Sequence, residues 1–288
     1  MPARPQFALA AVAVGWGSIG VLVRDINLPA VVIVGFRVWI AALALGTWLA
    51  MRSGRAALLP THGWGRIAVM GAGLALHWMA LFAALKRAPI GTVLLITYLA
   101  PVGIALLAPR TLGERLAPRT IGALALGTGG MALVAAPALD ASGVGVALAG
   151  LAAVLYVMLV LVGKPLSVEY GGIRIAFLQL AVAGLVLVPV AATATWHGPE
   201  RSWGWLLLLG LGHTAAGLWV FYAALARLAA SQVGILAYLE PASAVLFGWI
   251  FLSERPRLAT VVGGALIVAA GALVMRPVTP AEVADVPG

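Results

Sequence analysis

Tyr98-Leu99-Ala100-Pro101 leads into Leu112-Gly113-Glu114-Arg115, and Tyr238-Leu239-Glu240-Pro241 leads into Leu252-Ser253-Glu254-Arg255. The two stretches share one pattern, Tyr-Leu-x-Pro and then Leu-x-Glu-Arg, displaced by 140 residues (238 − 98). The same displacement lays Ala83-Ala84-Leu85 on Ala223-Ala224-Leu225, Arg87 on Arg227, and Ala132-Leu133-Val134 on Ala272-Leu273-Val274. One offset held across three apolar segments marks an internal duplication.

The surrounding composition says what kind of unit is duplicated. Of 288 residues only 9% are charged while 63% are hydrophobic, and the mean hydropathy is +1.08. Soluble domains are about 25% charged, so this is a membrane composition. Apolar runs between Gly, Pro and charged punctuation read as ten helical spans: Gln6–Val23, Ala30–Met51, Arg66–Leu85, Pro89–Pro109, Pro118–Ala136, Ser142–Gly163, Gly172–Thr195, Trp203–Leu225, Ala230–Leu252 and Leu258–Met275. The fold class is therefore an all-α membrane protein. The first run, after Arg4, is interrupted by Trp16-Gly17-Ser18 with no clean cleavage signal, and reads as an uncleaved helix.

Each half holds five spans, residues 1–138 and 139–277, with 278–288 as a tail. An odd number makes the second half enter the bilayer from the opposite side, so the repeat is inverted. Inverted repeats give one pattern two complementary packings around a midplane site, the architecture of a carrier. With the N-terminus cytoplasmic, the expected inside cations are Arg4, Arg52, Arg55, Arg66, Arg110, Arg115, Arg119, Lys164, Arg174, Arg255, Arg257 and Arg276. The expected outside cations are Arg24, Lys86, Arg87, Arg201 and Arg227, and the bias places both termini in the cytoplasm. The net charge of +9 thus belongs to loops rather than to a nucleic-acid surface. Trp48, Trp64, Trp196, Trp203, Trp205 and Trp249 read as interfacial anchors.

Candidate site residues follow from cost. Glu240 is an acidic residue in mid-span, and a carboxylate there faces a cavity or a partner, either to couple protons or to hold a substrate ammonium. Arg37, also within an apolar run, is the candidate partner and gating residue. Pro101 and Pro241 remove a backbone donor each, freeing the carbonyls of Thr97 and Ala237, and read as kinks or hinges. Trp16, Tyr98, Tyr156 and Tyr238 could wall a pocket or simply fill the core; His77, Trp78, His213 and Trp219 share that ambiguity, and Ser18 and Thr97 offer orienting hydrogen bonds. Glu114 and Glu254, beside Arg115 and Arg255, read as paired groups at cytoplasmic helix ends. Glycines in the fifth and tenth spans allow close helix approach, within one copy or across a homodimer.

Trp16-Gly17-Ser18, Phe36-Arg37 followed by Ala41-Ala42-Leu43, and the Pro-to-Glu signatures at Pro101/Glu114 and Pro241/Glu254 resemble the drug/metabolite transporter superfamily. The likeness covers nearly the whole chain and is to its ten-helix carriers of two EamA-type repeats, within them to the aromatic amino-acid exporter (YddG-type) branch. It implies a secondary exporter of amino acids, aromatic or large apolar ones, in a bacterial inner membrane. The second copy departs from the first, since Trp16-Gly17 has no clear counterpart near Tyr156 and His77 aligns with Gly217. A carrier of another metabolite, a nucleotide-sugar or a drug is the rival substrate reading; an intramembrane enzyme or a structural subunit is the rival class. No nucleotide-binding, zincin or hydrolase motif is present in the sequence, so no enzymatic activity and no cofactor are expected, and the small solute and the lipid bilayer are the expected partners.

Overall fold

The computed structural model describes residues 4–135, 143–195 and 202–275. Its described residues form ten long helices: α1 (Pro5–Asp25), α2 (Ala30–Ser53), α3 (Trp64–Leu85), α4 (Ile90–Leu112), α5 (Pro118–Ala135), α6 (Gly143–Tyr170), α7 (Gly172–Thr193), α8 (Trp203–Leu225), α9 (Ala230–Leu252) and α10 (Leu258–Met275). All but α5 are long and apolar enough by themselves to cross a membrane. A helix satisfies its own backbone, which is why apolar runs of this length adopt it in lipid.

Several helices are interrupted, and the interruptions have local causes. The α4 helix breaks between Thr97 and Ala100, and α9 between Ala237 and Leu239, a few residues ahead of Pro101 and Pro241, whose rings cannot donate back into the preceding turn. At each break the turn tightens, with Leu99 N donating to Ile96 O at 3.1 Å and Tyr238 N to Ile235 O at 3.1 Å. The α1 helix breaks at Ser18. In α8 the segment Leu208–Ala216 winds as a π-helix, a wide form that concentrates at functional sites. By contrast α6 runs through Pro165 to Tyr170, so Lys164 stands on a helix and not in a loop.

Small residues set the helix crossings. Gly130 and Gly263 meet backbone to backbone where α5 lies along α10, so that a Cβ on Gly130 would stand 2.6 Å from the Gly263 carbonyl oxygen. These glycines pack within the monomer. Where α1 crosses α9, a Cβ on Gly17 would stand 2.1 Å from Ser243 Oγ and 2.7 Å from the Glu240 carbonyl oxygen. The crossing of α6 and α4 is repeat-related but inverted in size: Val157 takes the place of Gly17, and Gly103 that of Ser243.

Contacts between connections show which helix ends lie together, and they correct the sequence reading. Lys164, Glu114 and the turn from Leu225 to Ala230 share one end, as do Arg174 and the carbonyls of Ala57 and Leu59. His62 pairs with Glu169 there as well. Arg24 and Glu254 pair at the opposite end. Arg227 therefore belongs with Glu114 at the first end, while Glu254, Arg255 and Arg257 belong with Arg24 at the second. The expectation had these two connections exchanged; inversion itself requires repeat-related residues to lie on opposite sides. The cationic excess at the first end survives the exchange. Trp48, Trp64, Trp203, Trp205 and Trp249 are exposed on the outer surface; Trp196, Arg201, Arg276 and the tail lie outside the described residues.

Candidate functional site

The broken helices and the π segment meet in one polar cluster inside the bundle. The α8 π segment brings Thr214 and His213 toward α1 and α2: Thr214 Oγ1 donates to Leu209 O at 2.8 Å and accepts from Arg37 Nε at 2.9 Å. Trp16 Nε1 donates to His213 O at 2.7 Å, and Ser18 Oγ pairs with His213 Nε2 at 2.9 Å while donating to Gly15 O at 2.7 Å. The break at Ser18 is thus tied to α8.

Arg37 is 9% exposed. A guanidinium keeps its charge when buried, so it must be stabilised in place. Three groups do so: Thr214, the face of Trp78 at 5.0 Å, and the negative charge of Glu240. The stacking on Trp78 is worth roughly 0.5–2 kcal/mol, more as water is excluded. Glu240 lies in the first turn of the second half of α9, where the helix dipole favours an anion. Its side chain faces Tyr98, which the α4 break holds opposite, and it lies within electrostatic reach of Tyr156 on α6. Glu240 keeps partial exposure.

Around these two charged residues stands an aromatic wall. His77 is buried, its Nδ1 bonds Ala152 O at 2.8 Å, and its ring lies 5.7 Å from Tyr156. Tyr98 lies 6.2 Å from Tyr238, which is itself fully buried and pinned through its hydroxyl to Thr128 Oγ1 at 2.9 Å. Trp16 lies 5.9 Å from Phe221. Thr97 Oγ1, beside the α4 break, is buried without a hydrogen-bond partner among the described residues.

The structure brings most of the sequence candidates together: Trp16, Ser18, Arg37, His77, Trp78, Tyr98, Tyr156, His213 and Glu240, with Tyr238 behind Tyr98 and the buried Pro101 and Pro241 at the breaks. Trp219 is not among them. It lies 6.2 Å from Trp48 and lines a separate groove of about 160 Å3 with Pro5, Ala8 and Ala223. Two polar elements escaped the sequence reading. Thr214 carries Arg37, and Tyr222 donates to Gln179 Oε1 at 2.8 Å, while Gln179 Nε2 reaches Met70 O at 3.4 Å. Nothing in the sequence distinguishes these three from other polar residues in apolar runs. One carboxylate and one guanidinium amid aromatic faces can complement a solute bearing both an ammonium and a carboxylate, each through charge-assisted hydrogen bonds.

A solved structure described only as a crystal structure of a protein superposes with a TM-score of 0.80, covering 93% of this chain and 94% of its own at 20% identity, a likeness of fold. An uncharacterized transporter, YxxF, of Bacillus subtilis is 27% identical over 90% of this chain and 86% of its own length. The pseudopaline exporter CntI of Pseudomonas aeruginosa (strain UCBPP-PA14) is 29% identical, with 85% of each chain covered. A probable terminal-alkyne amino-acid exporter of Streptantibioticus cattleyicolor is 31% identical over 93% of this chain and 89% of its own. Residues 4–136 and again residues 143–276 match the EamA-like transporter family, and the chain, a ten-helix membrane protein of two inverted five-helix repeats, belongs to that family.

Proposed function

We propose that this transporter exports amino acids or close derivatives, aromatic or large apolar ones, by alternating access across a bacterial inner membrane. The Glu114 end, with both termini, faces the cytoplasm, as the cationic excess there favours. Glu240 receives the solute ammonium and Arg37 its carboxylate; Trp16, Trp78, Tyr98 and Tyr156 take the side chain, and Ser18, Thr97, His77 and His213 orient it. Tyr238 backs the wall, Trp219 lies outside it, and Pro101 and Pro241 serve as hinges.

The observation that carries this reading is the placement of Arg37, Glu240 and Tyr98 together beside two proline-broken helices. Helix breaks expose backbone polar groups only where they line a cavity. Relatives named as exporters, one of them of an amino acid, support the substrate class and the direction.

The test is uptake of radiolabelled phenylalanine, tryptophan, leucine and a nucleotide-sugar into proteoliposomes. Saturable amino-acid uptake is expected, lost in Glu240→Gln and strongly reduced in Trp78→Ala. If Glu240 also couples protons, Glu240→Gln abolishes the pH dependence of any residual or exchange activity. Uptake of the nucleotide-sugar alone would overturn the substrate assignment.

A further inference from the structure

Thr97 ends the first half of α4, and its hydroxyl behaves unlike others on these helices. Thr111, Ser167 and Ser243 bond back to their own helices, to Leu107 O at 2.9 Å, Gly163 O at 2.6 Å and Glu240 O at 2.9 Å. Such back-bonding is the local way for a hydroxyl in an apolar helix to be satisfied. Thr97 Oγ1 does not take it. The residue is 8% exposed, and the hydroxyl is buried with no hydrogen-bond partner among the described residues. A buried polar group left unpaired is costly, so its partner must come from outside the chain.

The fold itself does not require a hydroxyl at this place. The duplication puts Ala237 where the first copy has Thr97 (237 − 97), at the same break in α9, and Ala237 is 5% exposed. In the same register Ala100 stands where the second copy has Glu240. Each break therefore carries one polar side chain that its duplicate lacks. Glu240 has its place among the charged groups of the cluster, and Thr97 is the group left over.

Packing one turn away shows which side of the cluster Thr97 serves. Val93 forms a small core with Ala84 of α3 and Ala149 of α6. One turn further inward stand Thr97 on α4, Ala80 on α3 and Ala153 on α6, and beyond them His77 and Tyr156, whose rings lie 5.7 Å apart. Alanine side chains offer no hydrogen bond, so the hydroxyl belongs to the His77–Tyr156 side of the aromatic wall.

We infer that Thr97 is the specificity group for the side chain of the solute. With Glu240 taking the ammonium and Arg37 the carboxylate, the Thr97 hydroxyl meets a polar atom on the solute's ring, and the preferred solutes carry an indole N–H or a phenol O–H. A hydroxyl both donates and accepts, so it serves either. A site that hydrogen-bonds such a group discriminates against the analogue lacking it, because its own polar atom is then left unpaired. The inference rests on the amino-acid reading above and narrows it.

The test is competition in proteoliposomes, measuring the concentrations of tryptophan, tyrosine and phenylalanine that halve the uptake of a trace of radiolabelled phenylalanine. In the parent, tyrosine and tryptophan are expected to compete at roughly a tenth of the phenylalanine concentration, the effect of one hydrogen bond. Thr97→Val, nearly the same shape without the hydroxyl, is expected to abolish that ratio, while Thr97→Ser keeps it. A merely structural hydroxyl would alter all three solutes alike. An unchanged ratio in Thr97→Val overturns the proposal, as does a parent that does not separate tyrosine from phenylalanine. Thr97→Ala, which places at this break the residue its duplicate already has, supplies the same comparison if Thr97→Val does not fold. The two readings fail differently: amino-acid uptake without the ratio removes the role of Thr97 alone, whereas no uptake of any amino acid removes the amino-acid reading and this one with it.

Discussion

Replacing Gly17 by alanine tests the crossing that sets α1 against the Glu240 turn of α9. The added Cβ would meet Ser243 Oγ at 2.1 Å, Ala244 N at 2.6 Å and the Glu240 carbonyl oxygen at 2.7 Å. The first of these can rotate away, but the other two are backbone, so α1 must retreat by roughly 0.5–1 Å, forfeiting a quarter to a half of the dispersion attraction along the contact. Overpacking of this kind costs about 1–3 kcal/mol. Gly20→Ala, with nothing within 4 Å of its Cβ, is the matched control and is expected to be neutral. Ser243→Gly in the Gly17→Ala background should rescue only part of the loss, because the backbone contacts remain. The repeat-related Gly103→Ala should cost less, its one close neighbour being Val157 Cγ2 at 2.9 Å. Thermal unfolding of the detergent-solubilised protein, followed by size-exclusion chromatography, reads all four. Equal melting of Gly17→Ala and Gly20→Ala would refute the argument.

Thr214→Val removes the acceptor for Arg37 Nε and should cost about 1.5–3 kcal/mol, as for a hydrogen bond to a charged group, seen as lower thermal stability together with weaker solute binding. Tyr222→Phe leaves Gln179 Oε1 without its donor and should cost about 1–3 kcal/mol, read as a lower melting temperature. Trp219→Ala should reduce transport far less than Trp78→Ala when uptake rates are compared at equal reconstitution. Transport reduced equally in the two tryptophan variants would place Trp219 back in the site.

What the sequence makes legible depends on how conspicuous a residue is against its surroundings. Arg37 and Glu240 stand out because ionised groups are rare in apolar runs, and the structure sets them within electrostatic reach of each other. Pro101 and Pro241 announce their own breaks through a missing donor. Thr214, Gln179 and Tyr222 carry no such mark, because a neutral polar side chain in a membrane helix is commonplace and only its partner gives it meaning. The structure sets Trp219 apart from the cluster, beside Trp48, and the π segment Leu208–Ala216 before it changes the phase of α8. Sidedness was lost on a smaller matter. Counting crossings requires every connection to be assigned in order, and exchanging two of them moved Arg227 and Glu254 to the wrong ends.

The nearness of Arg37 and Glu240 also has an electrical consequence. Each unit charge carried through a membrane potential costs or yields about 2.3 kcal/mol per 100 mV. With Glu240 ionised the two residues carry no net charge between them, so in the alternating access proposed above the exchange of open ends moves no monopole across the field. A zwitterionic solute adds none. On that reading the passage of a zwitterion is voltage-independent, and only a co-moving proton would let the membrane potential perform work on the cycle.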